Sequence, residues 1–175
     1  MVTLDPTPNQ GLSKGISIHK FVSFFISKMN YLTHQLLNQE EIEILRKNLD
    51  EELCWEDGKQ TAGKHAAEVK NNFQLRRDSD LSIKFSGIIK KKILSNDLIK
   101  SFALPKKVHG TIFSKTKRGM KYGRHIDNPY MSTGRADLSF TIFINCKENY
   151  EGGALLIESF NSEEKFKLNA GEIII

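Results

Sequence analysis

The sequence predicts a mainly β fold with helices on its N-terminal side, of the antiparallel sandwich or jelly-roll type. Up to Pro105, apolar residues recur with the spacing of amphipathic helices. After Pro105 the pattern changes to short alternating segments that recur about every 8–12 residues, and no helical pattern fits between them. Helices followed by closely spaced strands are typical of a helical lead-in to a layered antiparallel sheet.

Three regions are expected along the chain. Residues 1–28 contain prolines and glycines without a clear hydrophobic period, so they are predicted to form a loose N-terminal extension. Residues 29–105 are predicted to form the helical lead-in, and residues 106–175 the strand-rich domain. A length of 175 residues fits one globular domain with a hydrophobic core.

Local signals place the first elements of the lead-in. Residues 31–37 alternate in part and are predicted to form a short strand. Asn38 is expected to cap the helix that follows, with Glu41 three residues later completing a capping box. This helix should reach about residue 53, and its apolar face is marked by Ile42, Leu45 and Leu49.

The second half of the lead-in contains a predicted turn and a further helix. Residues 55–58 are predicted to form the turn. Asp78 or Ser79 is expected to cap the helix, and Pro105 ends this unit. The inner side of the helix is marked by Leu81, Phe85, Ile88 and Ile89.

Turns divide the strand-rich domain. Gly152 and Gly153 precede one strand, and residues 169–171 form a turn before the last. The predicted strands cover residues 108–113, 119–127, 137–144, 154–158 and 163–168, and one more opens at residue 172.

Composition excludes several classes of protein. The chain is 39% hydrophobic and 27% charged, which argues against intrinsic disorder. The longest apolar run, residues 21–26, is far shorter than the roughly 20 residues that span a bilayer, so no membrane partner is expected. Cys54 and Cys146 are the only cysteines, and their separation excludes a CxxC metal site. Two such thiols favour a reducing, cytoplasmic location.

Positive charge is concentrated in the middle of the chain. Residues 76–124 contain 14 Lys/Arg and three Asp, whereas the whole chain has a net charge of +5. A basic nucleic-acid-binding module is one hypothesis. We favour a solvated helix face with basic loops, because no aromatic platform interleaves with the charges and no RNA-binding motif is present. Nucleic acid is therefore not the expected partner.

The segment His125-Ile126-Asp127 has the spacing of a metal-binding pair. Alternate side chains of an extended segment point to the same side, so His125 and Asp127 would face one ligand together. An imidazole and a carboxylate are two of the three ligands of a 2-His-1-carboxylate iron site. An HxD arises by chance in roughly one in four chains of this composition, so the pair needs context. The other interpretation is a His–Asp surface pair at a turn.

Seven ordered blocks of sequence give this pair a context. They are Trp55-x-Asp57-Gly58, Thr61-Ala62-Gly63, Val69-Lys70-Asn71-Asn72, Tyr122-Gly123-Arg124-His125-Ile126-Asp127-Asn128, Arg135-x-Asp137-Leu138-Ser139, Tyr150-x-Gly152-Gly153-x-Leu155-x-Ile157-Glu158 and Lys167-Leu168-x-Ala170-Gly171. Through these blocks the chain resembles the PKHD-type hydroxylases, prolyl 4-hydroxylase-like members of the Fe(II)/2-oxoglutarate dioxygenase superfamily. The resemblance runs from about Asn30 to Ile175 and is far more specific than a single HxD.

The resemblance implies a double-stranded β-helix (jelly roll) behind N-terminal helices, incomplete at its C-terminus in this chain. It implies oxidative decarboxylation of 2-oxoglutarate coupled to hydroxylation of a C–H bond, with O₂ as the oxidant and a prolyl or related substrate. His125 and Asp127 match the first two iron ligands, and they are the implied catalytic residues. The implied cofactors are Fe(II), 2-oxoglutarate as co-substrate and L-ascorbate as reductant. The substrate itself, protein or small molecule, stays unspecified.

Three further residues of the matched blocks have two interpretations each. Tyr122 either lines the pocket for 2-oxoglutarate or substrate, or it is a packed aromatic residue. Asn128 either orients Asp127 from behind or makes the turn after it. Arg135 either supports the site or pairs with Asp137 to steady the following strand.

The chain departs from the family pattern at two places. Relatives carry a tyrosine for 2-oxoglutarate shortly before the metal motif, whereas residues 113–118 contain none. Relatives also place a third ligand, a histidine, beyond the turn at residues 170–171, followed by an Arg or Lys for the distal 2-oxoglutarate carboxylate. No histidine follows His125, and Ile175 is the last residue. We therefore expect the chain as given to lack activity; the alternative hypothesis is an inactive truncated remnant that acts at most as a binding domain.

Overall fold

The computed structural model describes residues 31–131, 133–159 and 162–175. Helices and short strands are mixed along these ranges, so the fold there is less dominated by strands than the sequence predicts. The predicted loose extension at residues 1–28 lies outside the described residues. Within the described ranges, no helix is both long and apolar enough to cross a membrane.

The helices lie mainly in the first half of the described chain. Short 3₁₀ helices cover Gly58–Thr61 and Lys147–Asn149. The α-helices are α1 (Gln39–Glu51), α2 (Lys64–Glu68), α3 (Asp80–Ser95) and α4 (Asp97–Ala103).

Both predicted helix starts are present. The Asn38 side chain accepts a hydrogen bond from the Glu41 backbone N–H, and the Glu41 carboxylate accepts one from the Asn38 N–H, each 2.9 Å long. The predicted capping box is therefore confirmed. Of the two predicted caps for α3, Ser79 is the one whose side chain accepts from the helix, through the Ser82 N–H.

The strands are short and pair antiparallel. They are β1 (Thr33–Gln35), β2 (Trp55–Asp57), β3 (Lys70–Asn71), β4 (Phe73–Leu75), β5 (Ser114–Lys115), β6 (Lys121–Tyr122), β7 (Tyr130–Met131), β8 (Gly134–Arg135), β9 (Thr141–Ile142), β10 (Leu155–Glu158), β11 (Glu163–Phe166) and β12 (Glu172–Ile174). They form five small sheets with the orders β1-β12-β9, β2-β4-β5, β3-β6, β7-β8 and β10-β11, and these do not close into a barrel within the described ranges. The jelly roll therefore stays a prediction.

The core lies where the central strand β12 meets the helices. β12 pairs on one side with β1 and on the other with β9. Its Ile173 has no exposed surface, and it belongs to one apolar cluster with residues of α1, α3 and α4. Burial of such side chains is the main stabilising term of a domain of this size. The other fully buried members of the cluster are Ile42, Leu45, Leu75 and Ile99.

Some sequence predictions for individual elements are wrong. Residues 55–57 form strand β2, not a turn, because they pair with β4 in a register that places Trp55 opposite Leu75. The predicted strand at 108–113 is absent, and β5 begins just after it; the predicted strands at 119–127 and 137–144 are shortened to β6 and β9. In α3, Ile88 is partly exposed, because the buried side chains follow four-residue steps through Phe85, Ile89 and Ile93.

A tight turn at Gly171 joins the last strand to the start of the described chain. The Gly171 carbonyl accepts hydrogen bonds from the backbone N–H groups of Leu36 (2.9 Å) and Leu37 (3.1 Å), and its own N–H donates to Phe143 O (2.7 Å). Its φ is +86°, and an added Cβ would overlap the carbonyl oxygen of Leu37. Only glycine fits this position without displacement of the backbone.

The capping box supports a first stability prediction. Replacement of Asn38 with alanine is expected to lower the free energy of unfolding by about 1 kcal/mol, because the Glu41 N–H loses its acceptor. Urea denaturation followed by circular dichroism measures the change. The control is Lys47→Ala on the exposed side of the same helix, which is expected to change that free energy by less than about 0.5 kcal/mol. Equal losses in the two variants would contradict the role of the cap.

Candidate metal centre

Strand pairing positions the loop that carries the metal motif. β6 pairs with β3, so that Tyr122 lies opposite Lys70, and the Gly123 N–H donates to Val69 O at 2.8 Å. An added Cβ on Gly123 would lie 2.9 Å from the Val69 Cβ. Because no side chain fits there, glycine allows the loop to leave β6 in close contact with the strand beside it.

The structure brings His125 and Asp127 together at the start of this loop. The His125 Nε2 and Asp127 Oδ1 atoms are 3.4 Å apart, and the two side chains are 24% and 67% exposed. The intervening Ile126 is 93% exposed. The two donor atoms therefore lie close enough to contact one small cation, and solvent reaches them.

A backbone contact determines which nitrogen of His125 is available. The His125 Nδ1 atom lies 2.8 Å from the Gly123 carbonyl oxygen. A carbonyl oxygen only accepts, so Nδ1 carries a proton, and in the neutral tautomer Nε2 is the nitrogen with the lone pair. Metal-binding histidines are commonly oriented by such a contact. Two electron-pair donors that face each other at this distance are stabilised by a cation between them, which fits a pair of metal-binding side chains.

Tyr122 packs directly on the histidine. The two rings are stacked, with centroids 3.7 Å apart and planes inclined by 11°. Burial raises the pKa of the Tyr122 phenol, and the negative charge of Asp127 raises it further. The phenol therefore stays protonated at neutral pH. Its predicted contact with 2-oxoglutarate or substrate remains a prediction.

An ion pair attaches the loop to the next sheet. The Arg124 guanidinium meets the Glu158 carboxylate through two contacts, Nε to Oε2 at 2.7 Å and Nη2 to Oε1 at 2.8 Å. This fork geometry fixes direction as well as distance. The loop is therefore held by β3 at its start and by β10 along its side. Sequence reasoning did not single out Arg124, and a pairing partner 34 residues away gives no local signal.

His109 has a structural role that the sequence did not reveal. Its Nδ1 lies 2.7 Å from Thr133 Oγ1, and its Nε2 lies 2.9 Å from the Arg135 carbonyl oxygen. Its ring also contacts Gly134, where an added Cβ would approach Cε1 to 3.2 Å. Both nitrogens are within hydrogen-bond distance of a partner, so His109 stabilises the β7-β8 hairpin.

The two remaining predicted residues contact their own neighbours. The Asn128 side chain accepts a hydrogen bond from the Tyr130 N–H at 3.0 Å, which is the contact of a turn residue. Arg135 Nε lies 2.5 Å from Asp137 Oδ1, which is the pairing considered from the sequence. Both members of that ion pair are exposed, so it contributes little to stability.

The described residues supply two candidate ligands, not a full set. In residues 31–131, 133–159 and 162–175, no group of three or more His, Cys, Asp and Glu side chains is arranged to hold a metal ion. Both cysteines are free thiols.

Comparison with known proteins places the chain in a family. No family model matches it. It is 68% identical over 148 residues to a PKHD-type hydroxylase of Prochlorococcus marinus strain MIT 9215, a match that covers 84% of this chain and 67% of the relative. PKHD-type hydroxylases of strains MIT 9312 and MIT 9301 are 66% and 61% identical, over 84% of this chain and 67% of each relative. Identity of this extent, together with the paired His125 and Asp127, shows that the chain belongs to the PKHD-type hydroxylase family.

Proposed function

We propose that this chain carries two of the iron ligands, His125 and Asp127, of an Fe(II)- and 2-oxoglutarate-dependent hydroxylase of a prolyl or related substrate, and that it needs a third donor before it can act. The observation that carries the proposal is the approach of His125 Nε2 to the Asp127 carboxylate at 3.4 Å, with His125 Nδ1 directed at the Gly123 carbonyl. The hydroxylase names of the relatives support this reaction class. The choice of iron and 2-oxoglutarate rests on the matched sequence blocks.

The donor set fits Fe(II). One imidazole nitrogen and one carboxylate oxygen suit a 2-His-1-carboxylate site, which leaves positions open for a chelating co-substrate and O₂. When bound, iron supplies O₂ activation and the oxidative decarboxylation of 2-oxoglutarate, and L-ascorbate keeps it reduced. The chain itself directs His125 Nε2 through the Gly123 carbonyl and holds the loop through Arg124 and Glu158.

The third protein donor of the proposed centre is a histidine, which the resemblance places beyond residues 170–171. The described residues provide the other two. Free imidazole added to the solution presents the same donor as a histidine side chain. It therefore serves as a stand-in that allows the two donors of this chain to be tested.

The test is an anaerobic titration of the 175-residue chain with Co(II), which reports Fe(II)-type coordination by its visible absorption. We expect saturable binding of one ion, strengthened by added imidazole. Asp127→Asn keeps the side-chain shape but removes the anionic donor, so the affinity is expected to fall. In a separate assay in air-saturated buffer, with Fe(II), imidazole and 2-oxoglutarate labelled at C1, O₂ is the oxidant and release of labelled CO₂ is expected only with Asp127 intact.

The matched control is Asp137→Asn, ten residues further along the chain, where the carboxylate pairs with Arg135. This variant is expected to bind Co(II) as the unmodified chain does. Equal affinities for Asp127→Asn and the unmodified chain, or no binding with or without imidazole, would contradict the proposal.

A further inference from the structure

We infer that Lys70 is a positioning residue of the candidate metal centre, which acts through Tyr122 to hold the ring of His125. The expected effect on metal binding rests on the proposed function. The contacts between Lys70, Tyr122 and His125 rest on the geometry alone. No sequence block or matched motif assigns a role to this lysine.

Lys70 is a buried cation with few partners. It is 3% exposed, and its ammonium group donates one hydrogen bond, to Thr61 Oγ1 at 3.3 Å. Among the described residues it forms no ion pair. Burial lowers the pKa of Lys70, the charge of Arg77 lowers it further, and that of Asp57 opposes the shift. A buried ammonium group is costly unless other contacts compensate, so its remaining contact is informative.

That contact is the ring of Tyr122. The Lys70 Nζ atom lies 4.7 Å from the ring centroid, within the range of a cation–π interaction. The two residues are directly opposite each other in the β3-β6 pair, so the backbone register itself brings them together. Partial burial of the pair strengthens the attraction relative to an exposed one.

The ammonium group is also held from the other side. Thr61, its hydrogen-bond partner, bonds to the Gly58 carbonyl at 3.2 Å and to the side chain of Gln74. Gln74 is buried in β4. Lys70 is thus connected to a polar cluster within the fold, apart from the exposed loop that carries His125.

The same Tyr122 ring is stacked on His125 at 3.7 Å. A ring fixed by Lys70 fixes the plane of the imidazole, and the Gly123 carbonyl fixes its rotation through Nδ1. Together these contacts aim Nε2 towards Asp127. Residues that orient metal-binding histidines typically contribute about 10-fold to 100-fold to metal affinity.

The test begins with NMR of the metal-free 175-residue chain. Stacking on Tyr122 shifts the ring protons of His125 upfield, so these resonances report the arrangement directly. In Lys70→Met, which keeps the length but removes the charge, we expect this upfield shift to be lost. Co(II) affinity in the presence of imidazole is expected to fall about 10-fold to 100-fold. Lys70→Arg retains a cation for the ring and is expected to recover most of both signals.

The matched control is Lys167→Met. The Lys167 ammonium lies 4.2 Å from the ring centroid of Tyr150, in a lysine–tyrosine pair that does not contact His125. This variant is expected to leave the His125 shift and the Co(II) affinity unchanged. A loss of stability alone in Lys70→Met, with both signals retained, would overturn the inference.

A second pair of variants decides the matter if Lys70→Met does not fold. Tyr122→Phe retains the stacked ring, whereas Tyr122→Leu removes it. We expect the His125 shift and the Co(II) affinity to be retained in the first variant and lost in the second, with Lys70→Arg behaving as the first. Equal affinity in both Tyr122 variants overturns the inference. A chain whose His125 shift responds as expected but which binds no metal would instead contradict the proposed function.

Discussion

Replacement of Gly171 with alanine is expected to lower the free energy of unfolding by about 2–5 kcal/mol. Two costs combine at this position, the strain of a left-handed backbone and the insertion of a methyl group into packed atoms. The φ of +86° sets the first cost, and overlap of the new Cβ with the Leu37 carbonyl oxygen sets the second. Urea denaturation of the 175-residue chain, followed by circular dichroism, measures the total.

Gly152 provides the control that separates these costs. Its φ is +69°, yet an added Cβ would meet no atom within 4 Å. Gly152→Ala should therefore show only the backbone strain, about 1–2 kcal/mol. If both variants lost the same free energy, the contact between Gly171 and Leu37 would have no energetic importance.

Removal of the His125 side chain is expected to lower Co(II) affinity, measured without added imidazole, by more than about 100-fold. Loss of a residue that merely orients a ligand costs about 10-fold to 100-fold, and loss of the donor itself should exceed that. In His125→Ala the Asp127 carboxylate remains as a single donor. The loss should appear in the absorption titration, and circular dichroism of the unfolding transition checks that the variant still folds.

His109 is the matched control for His125. Its two ring nitrogens contact Thr133 and the Arg135 carbonyl, away from His125 and Asp127. His109→Ala is expected to cost about 1 kcal/mol of stability and to retain Co(II) affinity. A larger loss of affinity in His109→Ala than in His125→Ala would argue against the assignment of His125 as the donor.

Elements with local signals were predictable from the sequence. The capping box needs only Asn38 and Glu41, three residues apart, and it is present. β10 and β11 form a hairpin whose alternating residues lie close together in the chain, and both strands are where the pattern predicts them. In each case the residues that determine the structure are neighbours in sequence.

Elements that depend on distant partners were not predictable. β2 forms because residues 55–57 find β4 at residues 73–75, while the local residues suggest a turn. The sequence favours strands at residues 108–113 and 137–144, yet no strand forms in the first segment and only Thr141–Ile142 pairs in the second. Pairing is a tertiary property, and it overrides local pattern where no partner strand lies alongside.

The candidate site follows the same division. The spacing of His125 and Asp127 within one sequence block is enough to predict this candidate metal-binding pair. Lys70 is different, because it reaches the site only through the register of β3 with β6, some fifty residues along the chain. The close approach of Gly123 to Val69 depends on that register too. Such contacts become visible only when the strands are placed together.

The position of β12 has a consequence for synthesis on the ribosome. β1 pairs only with β12 within its sheet, so the N-terminal strand of the described chain waits for residues 172–174 to emerge. Until then, Ile173 of β12 cannot cover the apolar side chains of the cluster to which it belongs. Closure of so long a loop slows folding and prolongs exposure of aggregation-prone surface. Nascent chains of this protein should therefore depend on chaperones until residues 172–174 have emerged from the ribosome.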